Sequence, residues 1–279
     1  MPPTLTSISA FKQSLTGGGA WDALAAVSGD SLTVFDFADG TNAYVEEVIS
    51  GNSAHSMEVS IYSARFGDPL YGLRVQHMFN PTLSGDDGSP QLLLPDELDI
   101  PLQQSDTLGA QVFGTASDNA NVTLQVYYEN LPGSQQLLAS WEQIKNQIVR
   151  VLAVEVTVSP GATGSPGTAV AINANDDRLQ SDASYAVLGL NTSVPILCVR
   201  LYGPDTGYAK IPCPGHWHSK LASGWFVRQA RLRGVPHIPV INANNKASTF
   251  IDAIHTSAAA STKVSLIVAQ LRNKFVSTA

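Results

Sequence analysis

Two segments of the chain read as copies of one another, and this duplication constrains the fold more than any other feature of the sequence. The later copy, Pro236 to Leu271, reads PHIPVINANNKASTFIDAIHTSAAASTKVSLIVAQL. It predicts three short strands, His237 to Ile241, Thr249 to His255 and Lys263 to Gln270, separated by small polar residues. In the third, Val264, Leu266 and Val268 alternate with Lys263, Ser265 and Ile267. That period of two is what a sheet with one buried face requires. The earlier copy, Leu98 to Leu131, reads LDIPLQQSDTLGAQVFGTASDNANVTLQVYYENL. Its Ile100-Pro101-Leu102 matches Ile238-Pro239-Val240, and its Val122-Thr123-Leu124-Gln125-Val126 matches Val264-Ser265-Leu266-Ile267-Val268.

A second echo lies upstream of each copy. Ala64 to Pro69 followed by Tyr71 to Val75 resembles Val199 to Asp205 followed by Gly207 to Ile211. The offset between paired positions drifts from 135 (Arg65 to Arg200) through 138 (Ile100 to Ile238) to 142 (Val122 to Val264), as small insertions would make it. Two echoes in the same order predict a duplicated β domain. A length of 279 residues suits that, because each half can bury a core of its own.

Only 14% of the residues are charged, against about 25% in ordinary soluble domains. The polar surface must then be largely Ser, Thr, Asn, Gln and backbone. Interface cores are depleted in charge, so a surface this poor in it hints at assembly. The net charge is −7, and the densest basic cluster, Arg228, Arg231 and Arg233, is too small to coat a duplex. That argues against sequence-specific nucleic-acid binding. The N-terminus lacks the basic and apolar regions of a secretion signal. No window approaches the run of about 18 apolar residues that a spanning helix needs.

Along the chain, Leu5, Ile8, Phe11 and Leu15 are spaced as on an amphipathic helix, and Gly17-Gly18-Gly19 breaks the pattern. Residues 1–30 are therefore expected to be a terminal arm, docked loosely or tethered to a neighbour. Strands are expected at SLTVFDF, AYVEEVIS, MEVSIYSARF and YGLRVQHMF, followed by a long polar loop from Asn80 to Pro95. Leu131 to Ile148 predicts the one internal helix, with Leu137, Leu138, Trp141, Ile144 and Ile148 on its stripe. The second half repeats the programme with Val149–Val158, AVAINA, YAVLGLNT, PILCVRLYG and AKIP before the three echo strands. The expected domains are thus an arm (1–30), a first β-sandwich with the linking helix (31–148) and a second β-sandwich (149–279). A parallel α/β fold would need a crossover helix between most strands.

Few residues suggest a site. His216 and His218 have metal-ligand spacing, but no Asp or Glu lies between Asp205 and Asp252 to complete a set, so a surface loop is the plainer reading. Asp86-Asp87 and Asp176-Asp177 read as turns. Asn121 and Asn191 match the glycan acceptor pattern, and with no secretion signal in this sequence they are expected to go unused. Cys198 and Cys213 read as small buried hydrophobes, although the turn GPDTG between their strands leaves room for a disulfide. No nucleophile elbow, phosphate loop, dinucleotide fingerprint or zinc-protease motif occurs. The site expectation is accordingly none: no catalytic residue, cofactor or metal.

Tandem sandwiches with matching strand programmes, a linking helix, a terminal arm, low charge and no catalytic motif resemble the double jelly-roll major capsid proteins of icosahedral, tailless viruses. The short length suits the bacteriophage members. The resemblance rests on the echo of Ile100–Val126 in Ile238–Val268. It implies an all-β double jelly roll with no enzymatic activity, made in the host cytoplasm and located in the virion. It also implies self-association as homotrimeric, pseudo-hexameric capsomers in an icosahedral shell. Implied partners are neighbouring capsomers, minor capsid or vertex proteins, and an internal membrane reached through the arm. Two other classes stay open. A carbohydrate- or receptor-binding sandwich would expose an aromatic platform, for which Tyr208, Trp217 and Trp225 are the candidates. An enzyme on paired jelly rolls would need paired carboxylates in a cleft.

Overall fold

A computed structural model describes residues 3–12, 15–27, 29–34, 42–52, 56–63, 73–76, 99–117, 119–131, 135–159, 161, 165–194, 196–215, 220–254 and 261–276. The fold is all-β and antiparallel, with short helices in the connections. The first nine strands are β1 (Thr4–Lys12), β2 (Ala20–Ala23), β3 (Ala25–Ala26), β4 (Asn42–Asn52), β5 (Ser56–Tyr62), β6 (Leu73–Gln76), β7 (Ile100–Leu102), β8 (Gly109–Gly114) and β9 (Ala120–Glu129). After β10 (Leu138–Ala139) and α1 (Trp141–Ile144) come β11 (Ile148–Val158), β12 (Val170–Ala171), β13 (Ser184–Thr192), β14 (Cys198–Tyr202) and β15 (Ile211–Pro214). Helices α2 (Lys220–Ser223) and α3 (Trp225–Arg233) precede β16 (Ile238–Asn242), β17 (Phe250–Ile254) and β18 (Thr262–Leu271).

These strands form four sheets, ordered β3-β1-β9-β4-β7, β2-β8-β5-β6, β10-β16-β13-β18-β11 and β12-β17-β14-β15. Setting aside the short edge strands β3 and β10, each half contributes eight strands. Numbered within its half, the larger sheet runs 1-8-3-6 and the smaller 2-7-4-5, in both halves. The pairs 1-8, 3-6, 2-7 and 4-5 each sum to nine, as when one long hairpin is rolled up, which is consistent with a jelly-roll sandwich. The echoed segments supply strands six to eight of each set: β7, β8 and β9, then β16, β17 and β18.

A defect repeats too. β4 is bulged against β9 between Val45 and Glu47, and β13 is bulged against β18 between Val187 and Gly189. Val45 and Val187 are 142 residues apart, and so are their partners Val126 and Val268. A bulge re-aims the side chain at the extra residue. That residue is Glu46 in the first half and Leu188 in the second.

Each sandwich has an apolar interior. Val122, Leu124 and Val126 are buried in the first, with Ile8, Val45, Ile61 and Val112. Val264, Leu266 and Val268 are buried in the second, with Val154, Val187, Leu201 and Ile251. Their neighbours differ. Every residue of β9 from Ala120 to Tyr128 is buried, so both its faces are covered, whereas β18 keeps the alternation read from the sequence.

The structure corrects three expectations. Residues 4–12 are not an arm: they form β1, paired over its whole length with β9 from Thr4↔Tyr128 to Lys12↔Ala120, with Leu5 and Ile8 buried. Leu5, Ile8 and Leu15 fit a helical spacing, but the open edge of β9 and the β-branched Thr4, Thr6 and Ile8 favour a strand. The three glycines do not detach this segment. Their positive φ angles make a turn bonded to β8 and its continuation through Gly18 N–H to Thr115 O and Gly19 N–H to Gly114 O. The linking helix shrinks to α1, closed by a capping box between Ser140 and Gln143. Leu138, from the expected stripe, and its neighbour Ala139 instead pair with Pro239 and Ile238. Third, α3 lies in the segment WFVRQARLRG, for which no helix was expected, and it ends on Gly234 in the left-handed region. Helix α2 covers β13 so closely that a Cβ on Gly189 would lie 2.3 Å from the Ala222 carbonyl oxygen. Of the expected strand SLTVFDF, Thr33 makes a single bridge to Thr107, and Phe35–Phe37 lie outside the described residues.

Candidate functional site

The unusual chemistry of this chain lies where the two halves meet. β15 packs against β1 and β9, and Leu5 and Tyr127 of the first half join the core of the second. The seam is nevertheless built from polar side chains. On β9 the residues facing away from the first core are Asn121, Thr123, Gln125 and Tyr127, all buried. Thr123 Oγ1 is 3.0 Å from Ser9 Oγ, its cross-strand partner on β1. Buried polar groups are costly unless paired, so the pairings at the seam define what it does.

One cluster is built on Arg200, fully buried on β14 opposite Asp252 on β17. Its Nε and Nη2 donate to the two Asp252 oxygens at 2.8 Å each, a bidentate pair within the second half. Its Nη1 donates to both oxygens of Asp30, at 2.9 and 2.8 Å, across the seam. Lys210 Nζ donates to Asp30 Oδ1 at 2.7 Å. Burial alone would pull the Arg200 pKa down, but the hydrogen bonds and charge of Asp252, with Asp30, more than reverse this and hold it above its ordinary value. Two cations face two carboxylates, so the cluster is neutral as a whole.

A second cluster surrounds Glu46, the residue at the first-half bulge, which is 2% exposed. His237 Nε2 donates to its carboxylate, 2.8 and 2.9 Å from the two oxygens. Gln125 Nε2 donates to Glu46 Oε2 at 3.1 Å, and Gln125 Oε1 accepts from the indole N–H of the buried Trp225 at 3.2 Å. Arg233, near the end of α3, donates to the Glu46 backbone oxygen at 2.7 Å and pairs with Asp99. The His237 ring stacks on Tyr127, with centroids 4.7 Å apart and planes 11° off parallel. Burial raises the Asp99 pKa, with Arg233 opposing it, and burial likewise raises that of Tyr127. A third crossing is the Gln136 amide, which donates to Leu5 O and accepts from Leu5 N–H at 2.8 and 2.7 Å, as a strand backbone would.

Two clefts open along the seam. One, of about 350 Å³, is lined by Thr6, Ser7, Asp30, Tyr128, Tyr208 and Lys210. The other, of about 510 Å³, is lined by Tyr44, Asp99, Tyr127, Glu129, Leu232 and Arg233. In the first, the buried Asp30 already faces Arg200 and Lys210, and in the second Asp99 pairs with Arg233, so the arrangement acts as a clamp between the halves. The carboxylates Asp30, Asp252 and Glu46 carry no motif, and sequence reading missed them. The available signal was charge placed inside otherwise apolar strands, at VRLY for Arg200 and FIDAI for Asp252.

The residues singled out in the sequence fall elsewhere. His216, Trp217, His218, Asp86 and Asp87 lie outside the described residues, among which no group of three or more His, Cys, Asp or Glu could hold a metal ion. Asp176 pairs with Arg178, whose hydrogen bond holds its pKa below the usual range, and Asp177 pairs with Lys246. Asn121 is fully buried. Of the candidate platform aromatics described, Trp225 is buried and Tyr208 is 63% exposed. Among the described residues, no helix is long and apolar enough to cross a membrane.

Cys198 and Cys213 are free and buried on neighbouring strands. Burial pushes the Cys198 thiol up to about 12 and that of Cys213 well above its ordinary value. Both are therefore expected to resist a thiol reagent near pH 8 in the native protein and to react at once in denaturant. Timed labelling read by mass spectrometry checks this, and fast native labelling of either would contradict their burial.

No family model matches the chain, and no curated protein matches it significantly. Among solved structures, the chain is similar to one described as the STIV MCP, at 12% identity over 97% of both chains with a TM-score of 0.21. A TM-score that low carries no argument about fold or role.

Proposed function

We propose that this chain is a structural coat protein, a double jelly roll that self-associates as a homotrimer and tiles an icosahedral viral shell. The observation that carries the reading is the strand order: 1-8-3-6 over 2-7-4-5 occurs twice in one chain, with a bulge at the matching place. One subunit then presents two similar outer surfaces, and three copies present six roughly equivalent edges, a shape suited to hexagonal packing. The seam supports it, because its charged groups are directed at one another and hold the two sandwiches as one block. A composition with 14% charged residues agrees, since charge is costly to bury between subunits. The corrected N-terminus removes the basis for a membrane contact through a terminal arm, and that contact is not part of the proposal. Electron microscopy of the purified protein over a range of salt and pH tests it. Three-fold particles or closed shells are expected; dispersed single chains under every condition would overturn it.

A further inference from the structure

The cleft of about 350 Å³ on the seam has walls from both halves. Gly29, Asp30, Ser31 and Thr33 come from the first half, and Tyr208 and Lys210 from the second. Its size falls within the range of small-molecule sites, about 300–1,000 Å³. The wall from the second half is tied down by a network of its own. Asp205 accepts from the Asn242 N–H, the Asn242 amide and the Asn245 amide, at 2.9, 3.0 and 2.9 Å. The Thr206 hydroxyl accepts from the Gly203 N–H at 2.8 Å. The Tyr208 N–H donates to the Gly203 carbonyl at 2.9 Å, which fixes Tyr208 to this turn.

Two properties set Tyr208 apart. Its φ of 60° lies in the left-handed region, directly after Gly207 at 58°. Glycine or asparagine takes that conformation readily, whereas a bulky side chain there is strained. Such strain persists where the surrounding structure holds it, and it clusters at binding sites. The ring nevertheless adds nothing to either core, being 63% exposed. Among the described side chains it is the aromatic that stands mostly in solvent. A strained backbone position thus serves to present an aromatic face at the cleft.

The polar groups around that face set the class of ligand. Lys210 Nζ uses one N–H on Asp30 Oδ1 and one on the Gly29 carbonyl, 2.7 and 3.4 Å away. An ammonium has three, and this side chain is 27% exposed, so a donor is left for the cleft. Ser31 and Thr33 are exposed and add hydroxyls that both donate and accept. The described charges at this wall cancel, because Arg200 and Lys210 face Asp30 and Asp252, and an ion of neither sign is favoured. What fits is an uncharged ring with an apolar C–H face and a rim of hydroxyls. We infer that this cleft binds a neutral hexose, stacked on Tyr208 and hydrogen-bonded to Lys210, Ser31 and Thr33. The site lies within one chain and stands whether or not the chain assembles. Because both halves line it, a bound sugar also reinforces the clamp at Asp30.

The test titrates the full-length protein with the methyl glycosides of glucose, galactose and mannose, and with glucuronate, by saturation-transfer NMR. At least one neutral glycoside is expected to bind, with a dissociation constant on the order of 1 mM. That glycoside is also expected to raise the thermal midpoint, since it binds only the folded seam. Tyr208→Asn suits the left-handed backbone, so the circular dichroism spectrum should not change while binding weakens at least about ten-fold. Tyr208→Phe keeps the ring and is expected to bind within about three-fold of the wild type. Binding of the wild type to immobilised neutral glycans would identify the ligand as the end of a surface glycan. Binding of the glycosides alone would identify it as a free sugar, and either result supports the site. No binding of any neutral glycoside, binding of glucuronate only, or binding that Tyr208→Asn leaves unchanged would overturn it.

Discussion

Arg200→Met is expected to destabilise the protein by about 3–5 kcal/mol, because it strands Asp252 as a buried charge and leaves Asp30 to Lys210 alone. Both carboxylates are 4% exposed, and among the described residues only Asp30 has a second cation, Lys210. Equilibrium urea unfolding measures the loss. The cause separates from lost packing by a second substitution: adding Asp252→Leu removes one stranded charge, so the double variant is expected to be more stable than Arg200→Met alone. Asp30→Asn isolates the seam. It leaves the Arg200–Asp252 pair intact within the second half and weakens only the link between halves. Unfolding in two separate steps, with one half melting before the other, is the expected signature. A single unchanged transition in Asp30→Asn would show that this contact does not couple the sandwiches.

Glu46→Ala is expected to be as severe, again about 3–5 kcal/mol, since His237 and Gln125 lose a buried charged partner together. Gln125 is held by Trp225 on its other side, so the damage reaches α3. Glu46→Gln keeps the shape and one acceptor oxygen, and should lose less. Thermal unfolding of the three proteins side by side orders them: wild type, then Glu46→Gln, then Glu46→Ala. A loss below about 1 kcal/mol for Glu46→Ala would mean that water reaches the bulge and replaces the partners.

The strands were legible where local pattern decides them. β16, β17 and β18 fall within a residue or two of the segments read from Pro236 to Leu271, and the alternation of Val264, Leu266 and Val268 marks the core face. β1 was not legible, because its apolar spacing fits a helix as well as a strand, and only the distant edge of β9 decides between them. The seam was illegible for a related reason. Arg200 meets Asp252 from 52 residues away and Asp30 from 170 away, so no short window holds the cluster. β9 shows the same limit. Asn121, Thr123 and Gln125 are polar and alternate with the core residues Val122, Leu124 and Val126, yet all three are buried.

The central claim is that the duplicated sandwich exists to associate with copies of itself. Native mass spectrometry of the wild-type protein, across concentration, salt and pH, tests it most directly. The account predicts a dominant species of three chains, with larger multiples of three as concentration rises. A single chain that persists at the highest concentration under every condition would contradict it.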